Sequence, residues 1–222
     1  MDNDFWIERW AKHEIGFHQQ QVNAYLRNCW PQLGVPREAT TFVPLCGKTL
    51  DMRWLREHGH PVLGVEIART ACAAFFAEWN VEPQVIRQGA FERWSAQGIT
   101  VLCGDFFTLQ PHDVASVLAV FDRAALIALP EAMRRAYVAK LREILPAGTV
   151  MLLVTPEYDQ QQMKGPPFAV GTREVRELFA GWQVQEIAAV DVTHSPDNAR
   201  FLQRGVSSLV ERVYRIVVGE RA

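Results

Sequence analysis

The sequence predicts an α/β fold, a mostly parallel sheet with helices on both faces and an N-terminal helical addition. Three observations carry that reading. Strand-like apolar runs alternate with helix-like segments along most of the chain. Only a turn-containing loop joins the last two strand-like runs, which predicts an antiparallel pair. A segment with helical spacing precedes the first strand. With 222 residues, 49% hydrophobic and 22% charged, the chain is long and apolar enough for one large core.

The first strand is "TTFVPLC" (40–46), followed by a helix, "LDMRWLREHG" (50–59), that ends on glycine. "PVLGVEI" (61–67) is a second strand and "RTACAAFFAEWN" (69–80) a second helix. "ITVLCGDFF" (99–107) and "VASVLAVFD" (114–122) are the third and fourth strands. Pro130 suits the first turn of the helix over 131–145, because proline lacks the N–H that a first turn leaves unpaired. A fifth strand covers 148–158, a short helix 172–181, and two further strands 182–192 and 207–219, the last pair forming an edge hairpin. Residues 1–39 are expected as a helical lid on a single domain whose α/β core is 40–222.

Composition narrows the ligand. A net charge of -2 offers no basic field for nucleic acid or an anionic membrane, so a small molecule is the expected partner. No apolar run reaches the roughly 18 residues of a membrane span, and the N-terminus lacks the features of a signal peptide. A cytoplasmic protein is expected. Cys29, Cys46, Cys72 and Cys103 show no CxxC spacing and read as thiols, and none of the six histidines stands out as a metal ligand. His58 and His60, flanking a turn, read as surface residues.

The stretch "PLCGKTLDMRWL" (44–55) ends its first half like a phosphate loop, Gly47-Lys48-Thr49. A phosphate loop also needs a glycine five residues before the Gly-Lys pair, and that position is Phe42, inside the first strand. The dinucleotide pattern GxGxxG fails too, since Gly47 is the sole glycine between Gly34 and Gly59. A cofactor without phosphates needs only one tight turn and a carboxylate for its ribose. Glu66 ends the second strand 19 residues after Gly47 and suits two ribose hydroxyls, or it is a solvent-facing strand-end glutamate. Asp105 follows the third strand, placed for an adenine amino group with Phe106 beside the ring, or for capping a turn. Together these features suit S-adenosylmethionine better than NAD or ATP.

Trp6, Trp10 and Phe17 offer aromatic faces to a sulfonium cation, although Trp6 and Trp10 also have the i, i+4 spacing of a packed helix face. Asp122-Arg123 ends an apolar strand, as a crevice pair or a buried structural pair. "KGPPFAV" (164–170) is a proline-stiffened loop that walls an acceptor pocket with Phe168 or simply connects elements at the surface.

"WIERWAKHEIGFHQQQ", "VPLCGKTLDMRWLREHGHPVLGVEI", "FDRAALIALP", "GPPFAV" and "LVERVYRI" resemble the bacterial form of the thiopurine S-methyltransferase family, in order from Phe5 to Val218. The resemblance implies a Rossmann-like class I methyltransferase fold: seven mostly parallel strands, the last antiparallel. It implies methyl transfer from S-adenosylmethionine to the sulfur of thiopurines and related aromatic or heterocyclic thiols, by a monomer. It places cofactor contacts on Trp10, Leu45, Glu66 and Arg123, with Trp6, Phe17, Asp105 and Phe106 lining the same pocket. Arg123 and Arg200 match arginines that face the thiopurine, and Phe17 joins them in positioning the substrate. Three alternatives remain at this stage: detoxifying methylation of selenium or tellurium compounds, a non-catalytic S-adenosylmethionine-binding module, and a NAD-linked oxidoreductase.

Overall fold

The computed structural model describes residues 3–220. Two short helices come first, α1 (Asn3–Ala11) and α2 (Ala24–Cys29), the second running into a 3-10 turn at Trp30–Leu33. The Asn23 side chain caps α2 by accepting from the N–H groups of Tyr25 and Leu26. The core then alternates: β1 (Thr40–Val43), α3 (Asp51–Glu57), β2 (Val62–Glu66) and α4 (Arg69–Glu78). Next come β3 (Gln84–Gln88), β4 (Phe91–Ala96), β5 (Ile99–Cys103), β6 (Val117–Asp122) and α5 (Glu131–Ile144). The chain closes with β7 (Val150–Glu157), α6 (Thr172–Leu178), β8 (Gln183–Asp191), α7 (Ala199–Gln203) and β9 (Val210–Val217).

The strands form one sheet in the order β3-β4-β5-β2-β1-β6-β7-β9-β8. The five central strands pair in parallel. All five residues of β2 are buried, as expected for a strand covered on both faces. One face packs against α5 and α6 through Tyr137, Leu141 and Val175, the other against α2, α3 and α4 through Leu26, Leu55 and Phe76. In α5 the buried residues Arg134, Tyr137, Val138, Leu141 and Ile144 recur at helical spacing. β9 returns antiparallel to both β7 and β8, so the expected final pair is present with its last strand inside the sheet.

Two expectations are corrected. The sheet has nine strands rather than seven, because residues 84–96 fold into an antiparallel hairpin, β3–β4, beside β5. Gln88 pairs with Phe91 across a two-residue loop whose Gly89 has φ 58°, a value glycine adopts without strain. Every residue of β3 is exposed, so it lacks the apolar alternation that marks a strand in sequence; pairing with β4 holds it. His60 is not a surface residue. It is buried, and its ring accepts from the Trp30 indole N–H at 3.1 Å because the N-terminal helices close over that side of the sheet. Among the described residues no helix is long and apolar enough to cross a membrane.

Candidate active site

β1 stops at Val43 because Pro44 has no N–H to continue the ladder, and the chain turns back through Leu45 (φ 45°) and Gly47 (φ 53°). The turn aims the Gly47 N–H at Glu66, whose Oε2 accepts it at 2.8 Å, while Oε1 accepts from Ala68 N at 2.8 Å. Glu66 is 4% exposed, and burial pushes its carboxyl up to about 6 against the pull of the Ala68, Gly47 and Ile67 N–H groups. Lys48, the lysine of the loop that resembles a phosphate site, is ion-paired with Glu78.

A cavity of about 370 Å³ opens at these strand ends, in the size range of small-molecule sites. Its near wall is Leu45, Gly47, Glu66 and Ile67, and its roof is the N-terminal segment from Trp6 to Gln19. Phe17 sits edge-on to both Trp6 and Trp10, with ring centroids 5.6 Å apart in each pair. Trp10 also packs on Ala68 and Ala71 at the start of α4, so it is core on one side and cavity wall on the other. A Cβ at Gly47 would stand 2.9 Å from the Trp10 ring, which makes glycine necessary there.

The far wall carries charge. Arg123 and Arg200 line it, and Arg9 lines the cavity from α1. The Nε of each is buried and has no hydrogen-bond partner among the described residues. Arg200 also donates to the Gly16 carbonyl, tying α7 to the roof. Asp122 is no salt-bridge partner for Arg123. It is buried, accepts from Ala125 N at 2.9 Å and from the Tyr137 hydroxyl at 2.7 Å, and burial raises its carboxyl to about 6. It thereby shapes the turn that begins with Arg123. Gly165, Pro166 and Pro167 complete the wall, with the Gly165–Pro166 and Pro166–Pro167 peptides cis.

The cavity thus brings together Trp6, Trp10, Phe17, Leu45, Glu66, Arg123 and Arg200. It does not include Asp105, Phe106 or Phe168. Asp105 caps the 3-10 turn after β5 by accepting from Phe107 N, and its other oxygen accepts from Asn3. Phe106 is core, 4.8 Å from the Tyr137 ring. Phe168 turns from the cavity to the Arg134 guanidinium, 5.9 Å away. Sequence reasoning missed Arg9, His18, Asn198, Arg204 and Glu211, all of which line the cavity. Arg9 had a legible signal, one helical turn from Trp6 on the proposed lid; the others lie on segments whose packing only the fold decides.

The sequence profile of thiopurine S-methyltransferases matches residues 1–219. The chain belongs to that family. Family relatives include a thiopurine S-methyltransferase of Azotobacter vinelandii, 51% identical over 97% of this chain and 99% of its own. Another, from Pseudomonas putida, is 50% identical over the same shares. Among solved structures, an S-adenosylmethionine-dependent methyltransferase from Anabaena variabilis superimposes with TM-score 0.65 at 12% identity, over 97% of this chain and 94% of its own. A 1,6-didemethyltoxoflavin N1-methyltransferase of Burkholderia thailandensis, solved with its substrate and S-adenosylhomocysteine, gives 0.63 at 13% identity over 97% and 87%. At those identities the likeness is one of fold, and the fold is the Rossmann-like class I methyltransferase fold.

The cofactor of this family, S-adenosylmethionine, fits the residues present. The Glu66 oxygens each keep a lone pair for a ribose hydroxyl beyond their backbone donors, and the turn at Gly47 has no glycine-rich cradle for phosphates.

Proposed function

We propose that this chain is an S-adenosylmethionine-dependent S-methyltransferase for thiopurines and related aromatic or heterocyclic thiols, working by direct in-line transfer. The observation that carries the reading is one cavity with the buried Glu66 carboxylate on one wall and Arg123 and Arg200, each with a buried Nε that has no hydrogen-bond partner among the described residues, on the other. When bound, S-adenosylmethionine supplies a methyl group activated by a sulfonium cation. Glu66 holds the ribose through charge-assisted hydrogen bonds, and Leu45 and Trp10 flank it. Trp6, Trp10 and Phe17 present aromatic faces to the cation, each such contact worth about 0.5–2 kcal/mol according to desolvation.

Arg123 and Arg200 draw the acceptor toward its thiolate form by charge and hydrogen bonding. Phe17 and the Gly165–Pro166–Pro167 wall hold it flat and keep water out, which favours a reaction in which opposite charges cancel. Positioning of this kind contributes up to about 7–11 kcal/mol for well-oriented reactants. Residues 3–39 act as the lid of a single methyltransferase domain, in a cytoplasmic monomer. The test is methyl transfer from labelled S-adenosylmethionine to 6-mercaptopurine, run beside a titration with S-adenosylhomocysteine. Binding with turnover is the expected result. Binding without turnover keeps the cofactor site and removes thiols as the acceptor class.

A further inference from the structure

Among the ionisable groups on the cavity wall that have no part in that reading is a carboxyl at the start of the last strand. Glu211 is the second residue of β9 and lines the cavity. A strand that ran parallel to the others would bring its carboxyl end to the ligand side. β9 is antiparallel to β7, so its start arrives there instead, with Glu211 paired to Pro156, itself a wall residue. The next residue, Arg212, points to the opposite face, as strand alternation requires, and pairs with Glu157 and Glu186. Glu211 is therefore the group that this strand turns toward the acceptor end.

Its surroundings are specific. The Tyr25 hydroxyl from α2 and the Asn198 amide from the turn before α7 act on its carboxyl as donor groups that favour the ionised form. Arg123 at the end of β6 and Arg200 on α7 face it with positive charge, and Asp197 beside Asn198 with negative. Burial outweighs these donors and cations and leaves the carboxyl above its ordinary range. The cavity thus sets a carboxylate across from two guanidinium groups. That is the complement of a heterocyclic thione, whose sulfur carries partial negative charge and whose adjacent ring N–H is a proton donor.

Resting on the reading of the site as an S-methyltransferase, we propose that Glu211 accepts the ring proton of thione-form acceptors, heterocycles with an N–H next to the thiocarbonyl. The step balances as follows. An electron pair on the acceptor sulfur forms the new S–CH3 bond while the methyl group's bond to the donor sulfur breaks, its electrons staying on that sulfur, which becomes neutral. The ring N–H proton passes to the Glu211 carboxylate. The freed pair closes the ring C=N bond as the thiocarbonyl becomes a C–S single bond. The proton leaves to water when the product dissociates. A thiol already ionised in solution has no such proton to lose and gains nothing from Glu211.

The discriminating experiment compares two acceptors in wild type and Glu211→Gln. One is 6-mercaptopurine, a thione with an adjacent N–H; the other is 4-nitrothiophenol, which is already a thiolate at neutral pH and has no ring N–H. The variant is expected to lose on the order of 100-fold in kcat/KM on 6-mercaptopurine, a typical share for a positioned base. It should stay within about two-fold of wild type on 4-nitrothiophenol and keep its affinity for S-adenosylhomocysteine, since no base is involved in either. With S-adenosylmethionine saturating, so that Glu66 does not enter, the acid limb of the pH profile on 6-mercaptopurine should be flatter in the variant than in wild type. Equal losses on both acceptors mean that Glu211 only braces Tyr25 and Asn198, and overturn the proposal, as does no loss on either. If the glutamine variant does not fold, Glu211→Asp keeps a carboxylate one methylene short, and a loss confined to 6-mercaptopurine is the supporting result. Wild type that binds S-adenosylhomocysteine but methylates neither thiol removes the S-methyltransferase reading itself, and this proposal with it.

Discussion

The Arg200 guanidinium donates to the carbonyl of Gly16, a residue 184 positions earlier in the chain. One side chain on α7 therefore faces the cavity and fastens the segment that roofs it. Arg200→Ala is expected to release that roof. Amide hydrogen exchange should rise over residues 12–22 while the central strands stay protected, and the KM for the acceptor should rise. Unchanged exchange in the roof would show that the contact is incidental.

Glu66 is expected to govern cofactor affinity and its pH dependence. Its carboxyl, held up to about 6 by burial, is partly protonated in mildly acidic solution. Ribose hydroxyls donate to the ionised form, so binding lowers that pKa, and affinity should rise with pH through about 6 and level off above. Glu66→Gln should bind S-adenosylhomocysteine roughly 10–100-fold more weakly at pH 7.5, the equivalent of a charge-assisted hydrogen bond, with a flat profile. Calorimetric titration from pH 5 to 8 reads both.

Gly47→Ala places a methyl group 2.9 Å from the Trp10 ring and at φ 53°, a conformation that costs a side-chain-bearing residue about 1–2 kcal/mol. Trp10 has to move away from the Ala68–Ala71 face. A lower Tm and weakened S-adenosylhomocysteine binding are the expected pair of effects. A fall in Tm alone would detach Trp10 from the cofactor.

Asp122 carries a stability signature with a defined sign. Its folded pKa of about 6 lies above the ordinary carboxylate value, so the native state holds more protons between about pH 4 and 6. Stability from this group is greatest below that window and is lost as pH rises through it. Asp122→Asn removes the titration, so its penalty against wild type should shrink between pH 4.5 and 7.5 in urea unfolding. Asp122→Ala strands the Tyr137 hydroxyl and two backbone N–H groups and should cost about 3 kcal/mol, roughly 6–12 °C in Tm.

Arg123→Ala tests the acceptor's ionisation. With the guanidinium gone, the thiolate form loses its partner, and turnover should fall most at low pH, where the free acceptor is least ionised. A rate loss equal at all pH values would leave Arg123 a positioning role only.

Much of this is legible in the sequence alone. Alternating strand and helix runs determined the parallel core, because a strand buried on both faces must be apolar throughout and its crossover helix amphipathic. The missing glycines around Gly47 argued against a phosphate site, and the interval to Glu66 put that carboxylate at the same turn, since β1, its turn, α3 and β2 are local in sequence and their spacing follows from their lengths. The family motif supplied Arg123 and Arg200 as well. Tertiary structure decided the rest. Asp105 and Phe106 carry the right residue types at the right interval, yet a turn N–H and the Tyr137 ring took them. The hairpin at 84–96 exists through pairing with β5 rather than through apolar alternation. Glu211 reads as an ordinary residue of a terminal strand, and it reaches the cavity because β9 runs against β7. Local chemistry is written in neighbouring residues, whereas strand direction and the closing of one distant segment over another depend on which surfaces bury each other, and that is settled only when the whole chain has folded.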